Sequence, residues 1–209
     1  MKRHDYRKLT TIAILSALST VLMLLQFGLP ILPVHLQFDF SDLPAVIAAF
    51  AYGPVAGAVV ELMKNLLHLP VTTTMGIGEL SNFLHGLCFV LPAGFIYRYR
   101  RTKQGAIWGA VSGMSAMTLC SFPINYFLTV PLFIRVLHTP EHVILGMYQA
   151  VLPAVSSFGE AILVFHMPLT FVKGMLCAVI TFLVYKRISP LLHGRDRDGA
   201  SIQIEDETK

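Results

Sequence analysis

The chain has 209 residues, of which 55% are hydrophobic and only 13% charged, and it carries a formal net charge of +4. A soluble domain is usually about 25% charged, so a water-facing globule is excluded, and the length allows a single domain. In a soluble protein the basic balance would point to nucleic acid; here the basic residues sit in short tracts beside apolar runs, where orientation in a membrane accounts for them.

The first apolar run, residues 9–29, follows Lys2, Arg3, Arg7 and Lys8 and stops at Pro30 and Pro33. About 20 apolar residues are enough to span a bilayer. The run has no small-x-small end, so it reads as a span and not as a cleavable signal. Residues 32–42 (LPVHLQFDFSD) alternate roughly between apolar and polar side chains. They read as an extended loop or a short strand on the side opposite the basic start.

Residues 43–69 allow two readings, because Gly53-Pro54 lies near their centre. One is a single span. The other is a pair of short helices, 43–52 and 54–67, turning at the Gly-Pro. A helix of about ten residues covers only about 15 Å, which is tolerated where protein and not lipid covers its ends. A third apolar stretch, 80–97, is followed by the basic tract RYRRTK at 98–103. A long apolar segment, 106–134, contains Pro123 and Pro131, and Pro123 should bend it. A loop at 135–158 contains Pro140 and Pro153, and the last span, 162–185, is followed by Lys186 and Arg187.

Charge decides between the readings. With one helix in 43–69, the 98–103 tract would face outward. With two, the N-terminal basics, that tract and Lys186-Arg187 all face the cytoplasm, as the positive-inside rule requires. The expected architecture is therefore all-α, a polytopic six-helix transmembrane bundle with short second and third helices and both termini cytoplasmic. Residues 1–187 form the single transmembrane domain, and 188–209 form a hydrophilic cytoplasmic tail. Lys64, Arg135 and Lys173 are left off the cytoplasmic side.

Ionisable residues at membrane depth are costly and mark function or buried pairs. Glu61, Lys64, Asn65 and His68 share one helix face by their spacing. Glu61 and Lys64 can pair across a turn, either to fix helix packing or to meet a substrate. Glu79, Asn82 and His85 form a second polar stripe, able to hydrogen-bond a ligand or to tie helices together. Asn125 lies in an apolar wall and must find a partner. Lys173, between Pro168 and Gly174, cannot snorkel to water unless a cavity is near. It reads as ligand-facing, the alternative being a buried pair with Glu160, Glu79 or Glu61.

Enzyme chemistry has no carrier here, with no HExxH, no phosphate-binding loop and no GxSxG. His138 and His142 have metal-pair spacing, but Pro140 separates them and no third ligand is evident. Neither a metal nor another cofactor is expected. Cys88, Cys120 and Cys177 sit in apolar stretches and read as buried thiols. Without a nucleotide site, concentrative uptake needs a partner or an ion gradient.

The run FDFSDLPAVIAAFAYGPVAGAVVELMKNLLHL resembles the substrate-binding subunits of energy-coupling factor (ECF) transporters, especially the riboflavin-specific type. GIGELSNFLHG, FPINYFL and the downstream VKG fit the same pattern, and the likeness extends over residues 13–187. The resemblance implies six helices with short second and third ones, and a ligand that enters from outside and sits in the outer half of the bundle. It implies a cap over residues 36–40, backbone contacts to the flavin around Gln37, Phe38 and Asp39, a ribityl-binding asparagine at Asn125 and a lysine at Lys173.

A flat ring system with a hydroxylated chain needs an apolar slot with a few placed polar groups. Phe38, Phe40, Phe127 and Leu128 are candidate walls, and Glu79 and Asn82 candidate polar contacts. The resemblance also implies that Ala13 and Ala17, a small-residue face, dock a transmembrane coupling subunit joined to two cytoplasmic ATPases; simple packing within the bundle is the alternative. Riboflavin is then a transported ligand and membrane lipid the surroundings. Competing functions are the same architecture serving another vitamin or vitamin precursor, or a self-sufficient secondary carrier; the latter lacks visible inverted repeats.

Overall fold

The structure, a computed structural model, describes residues 3–33 and 36–193. It is an all-α bundle with one minimal β ribbon. Helix α1 (Arg3–Leu24) leads into strand β1 (Phe27–Gly28), which pairs antiparallel with β2 (Gln37–Phe38), Phe27 opposite Phe38. The alternating stretch thus does form a strand, held by the Phe27 and Phe38 rings, 5.7 Å apart between centroids. The first helix ends at Leu24, before the apolar run does, because the chain must turn extended to make this pair.

Helices α2 (Asp42–Tyr52) and α3 (Pro54–His68) are the short pair. Gly53 between them has φ 95° and ψ 167°, a conformation open in practice only to glycine. Pro54 follows at the start of α3, where its missing N–H loses nothing. The two helices lie so close that a Cβ on Gly57 would stand 2.8 Å from Ala49 Cβ.

Helix α4 (Ile77–Tyr99) is followed by α5 (Lys103–Pro123), whose N-cap Thr102 accepts from the Gly105 N–H. The fifth pass continues as a π-helical stretch, Ile124–Thr129, and then α6 (Val130–Val136). The loop expected over 135–158 contains a helix, α7 (Glu141–Gln149). The sixth pass is α8 (Phe158–Ala161), a second π stretch, Ile162–His166, and α9 (Met167–His193). Four of these helical passes are long and apolar enough to cross a membrane, and α2 and α3 complete the six. The expected tail lies, from residue 194 onward, outside the described residues.

Three contacts orient the bundle. Ser19, late in α1, bonds the Ser41 carbonyl at the start of α2. A Cβ on Gly94, near the end of α4, would meet Pro54, so the α2–α3 turn reaches toward that end. Lys103 Nζ lies 4.7 Å from the Phe182 ring centroid, which puts the 98–103 tract beside the later part of α9. The protein is a multi-pass membrane protein whose basic tracts gather at one end, the cytoplasmic one by the positive-inside rule.

Two apolar cores follow from this layout. The inner one is built of small and aromatic residues of α2, α3, α4 and α5, including Ala45, Ala49, Val60, Phe89, Ala93 and Met117. The outer one joins Leu36 of the cap to Ile144 and Tyr148 of α7 and to Ala161 and Phe165 of the sixth pass.

Candidate functional site

Polar side chains inside the bundle gather in three groups. The first is an ion cluster where α1, α2 and α3 meet. Lys64 Nζ pairs with Asp42 Oδ1, lies 2.7 Å from Glu61 Oε2 and donates to Ser41 Oγ at 2.9 Å. Glu61 and Lys64 therefore pair across one turn, as their spacing suggests. Gly86 of α4 makes room for this cluster, because a Cβ there would collide with the Glu61 carboxylate. Burying charges is tolerable only with such pairing.

The second group is a knot at the outer ends of α3 and α4. Glu79 Oε1 lies 2.8 Å from His68 Nδ1, and Glu79 Oε2 accepts from Thr72 Oγ1 at 2.8 Å and Thr74 Oγ1 at 3.3 Å. Both carboxylate oxygens are engaged in closing the α3–α4 connection. Asn82 is half-buried, and its Oδ1 lies 3.5 Å from Asn65 Nδ2, which also donates to the Glu61 carbonyl at 2.8 Å.

The third group is a seam crossing α4, the fifth pass, α9 and the cap. Asn125, in the first π stretch, donates from Nδ2 to the Ser121 carbonyl at 2.8 Å and sits 3.2 Å from Ser121 Oγ and 3.4 Å from His85 Nε2. His85 Nδ1 lies 2.7 Å from the Ser81 carbonyl, which fixes the proton on Nδ1 and leaves Nε2 as an acceptor. Ser121 Oγ meets Thr170 Oγ1 at 3.2 Å. One turn on from Thr170, Lys173 Nζ lies 3.1 Å from Asp39 Oδ2 and 3.0 Å from Asp42 Oδ2.

Asp39 and Asp42, not Glu160, Glu79 or Glu61, are thus the partners of Lys173. Asp42 joins the seam to the ion cluster, since its other oxygen pairs with Lys64. Asp39 also accepts the Ser41 N–H at 2.7 Å, which pins the cap to the start of α2. An ammonium has three N–H donors. One donates to Asp39 Oδ2 at 3.1 Å, and the Asp42 carboxylate 3.0 Å away helps to balance the lysine charge.

The cap lies over this seam. Phe38 is buried and its ring meets Phe40 edge-on, 5.3 Å between centroids, whereas Gln37 is exposed. Leu36 fastens the cap to α7, whose Tyr148 hydroxyl lies 2.8 Å from His166 Nε2 in the second π stretch. Burial pushes the Tyr148 phenol above its ordinary range, so it stays a neutral hydrogen-bonding group.

This architecture has solved and curated counterparts. The family model for the substrate-specific component of ECF transporters matches residues 7–185. The chain is a member of that family. Riboflavin transporter FmnP of Bacillus subtilis is 33% identical over 187 residues, covering 88% of this chain and 93% of the relative. Riboflavin transporter RibU of Staphylococcus aureus is 33% identical over 192 residues, covering 92% and 95%. The solved structure of the S component of a bacterial ECF transporter superposes with a TM-score of 0.70 at 32% identity, covering 90% of this chain and 99% of that one.

As an ECF substrate-specific component the chain is a transport protein and not an enzyme. The structure brings Phe38, Asp39, Asn125 and Lys173 to one end of the component, with Phe40 beside Phe38. It does not bring Phe127 there: that residue is 71% exposed and its ring packs edge-on with Tyr126, while Leu128 is half-buried. The π stretch rotates successive side chains by less than an α-helix does, so Asn125 faces inward while Tyr126 and Phe127 both face out.

Ala13 and Ala17 are exposed, whereas the neighbouring Ser16 and Ser19 are buried. The small-residue face is therefore not used in packing within the bundle. Sequence reasoning singled out His85 only as part of the Glu79–Asn82–His85 stripe and left Ser121, Thr170 and Asp42 out of the site. The signal was present, because Ser121 lies four residues before Asn125 and Thr170 three before Lys173, each one helical turn away on the same face. Among the described residues, no group of three or more His, Cys, Asp or Glu side chains could hold a metal ion.

Proposed function

We propose that the chain is the riboflavin-binding subunit of an ATP-driven ECF uptake transporter, taking the vitamin from outside into the seam beneath the cap. The observation that carries this reading is Lys173, charge-balanced by Asp39 and Asp42 and one turn from the Thr170–Ser121–Asn125 hydrogen-bonded row. A row of alternating donors and acceptors suits a polyhydroxylated chain, and the Phe38–Phe40 pair supplies an apolar surface for a flat ring. The relatives named as riboflavin transporters support the choice of ligand.

In this reading Gln37, Phe38, Asp39 and Phe40 act as the cap over the flavin, and Asn125 and Lys173 contact the ribityl hydroxyls. Leu128 and Asn82 stand at the border of the site. Glu79 and Phe127 act indirectly, one by tying α3 to α4 and the other from the outer surface. The exposed Ala13–Ala17 face docks the transmembrane coupling subunit, which joins the two cytoplasmic ATPases. The full-length protein, purified in detergent from cells grown with riboflavin, should carry a yellow chromophore with visible flavin absorption and quenched fluorescence. A colourless protein that also fails to quench added riboflavin would refute the assignment.

A further inference from the structure

At the cytoplasmic end, away from the seam, α5 and α9 leave between them a groove of about 290 Å³ lined by Ala106, Ile107, Ala110, Ala178, Thr181 and Phe182. Its wall is apolar, and Thr181 is its one lining residue with a polar side chain. Thr181 Oγ1 is buried without a hydrogen-bond partner, although a threonine in a helix can usually bond the carbonyl one turn back. An orphan hydroxyl in an apolar groove needs an acceptor from outside the chain. Basic residues stand near the mouth of the groove: Lys103 is one turn before Ala106 and lies over the Phe182 ring at 4.7 Å, and Arg100, whose carbonyl packs against Gly105, is exposed.

We propose that this groove binds an anionic phospholipid of the cytoplasmic leaflet. The acyl chain lies along Ala106, Ala110 and Ala178, the Thr181 hydroxyl donates to an ester carbonyl, and the phosphate sits against Lys103 and Arg100. The order of groups along the groove, charge at the mouth, one donor below it and hydrocarbon beyond, matches the order of groups in a phospholipid. Anionic lipids are drawn to basic pockets between helices at this leaflet, and the positive end of α5 adds to the attraction. A helix of a partner protein would leave the Thr181 donor and the basic rim without this ordered complement. The inference does not depend on which vitamin is bound.

Trp108, the only tryptophan in the chain, is exposed next to Ile107 and reports on this surface. The full-length protein would be reconstituted in phosphatidylcholine vesicles containing phosphatidylglycerol brominated high on its acyl chains, or in the converse mixture with the bromine on phosphatidylcholine. Brominated phosphatidylglycerol should quench Trp108 more at equal mole fraction. Lys103→Gln should weaken the preference about fivefold, the contribution of one basic side chain at an anionic surface, and Lys103→Gln with Arg100→Gln should remove it. Ala110→Phe, which fills the groove, should also bring quenching by the two lipids level.

Equal quenching by both lipids in the wild type would overturn the proposal, as would a preference untouched by the charge changes. Because Lys103 and Arg100 lie on the surface, their replacement reads out even where Ala110→Phe does not fold. If the charge changes spare lipid preference but release a co-purifying coupling subunit, the groove is a protein contact and the lipid assignment is wrong.

Discussion

Asp42 is the residue on which the buried polar system turns, because its two oxygens serve Lys64 and Lys173 separately. Asp42→Asn would leave Lys64 with Glu61 and Lys173 with Asp39 and would remove the carboxylate that the two buried ammoniums share. Losing a shared partner costs less than the roughly 3–5 kcal/mol of leaving a buried charge uncompensated, so the variant should melt measurably below wild type in detergent, as thermal denaturation would show; an unchanged melting temperature would contradict the cluster. Part of this was legible in the sequence. Glu61 and Lys64 are three residues apart and advertise their pair. The partners of Lys173 are not legible, because Asp39 is 134 positions away and only the folded cap brings it near. The isolated polar residues in apolar runs, Asn125 and Lys173, could be singled out because a buried polar group without a partner is penalised; which groups satisfy them is a tertiary fact.

At the scale of elements, the charge argument correctly divided 43–69 into two helices, and Gly53-Pro54 supplied the turn. Pro123, expected to bend its helix, is the last residue of α5. The helix passes through it and opens into a π stretch, and each of the two π stretches ends two residues before a proline, Pro131 in one pass and Pro168 in the other. A proline cannot donate to the preceding turn, and the wider π turn accommodates that lost bond while aiming Asn125 inward. Helix α7 escaped notice because its nine residues are flanked by prolines and match no full span; its pattern becomes meaningful only against the outer core. Tyr148 fastens it. Tyr148→Phe removes one hydrogen bond, about 1 kcal/mol, so amide exchange in 141–149 should quicken several-fold, as hydrogen–deuterium exchange by mass spectrometry would measure. If exchange there stays at the wild-type rate, α7 is held by its apolar contacts alone.

For the whole molecule, the division of labour is spatial. The outer end holds the cap and the seam, the middle holds the ion cluster, and α1 turns its alanines outward. Ala17→Leu should cut recovery of the coupling subunit in co-purification while leaving ligand affinity within about twofold, because Ala17 is exposed and an exposed substitution of this kind usually stays within about 0.5 kcal/mol. The central claim is that Lys173 meets the hydroxylated chain of the ligand. It is tested most directly by calorimetric titration of wild type and Lys173→Met with riboflavin and with lumiflavin, which keeps the ring and lacks the ribityl chain. Loss of one donor should weaken riboflavin binding by about 1–3 kcal/mol, roughly 5- to 150-fold, and leave lumiflavin binding nearly unchanged. An equal loss for both ligands would contradict the account, because a contact that lumiflavin never makes cannot be lost with it.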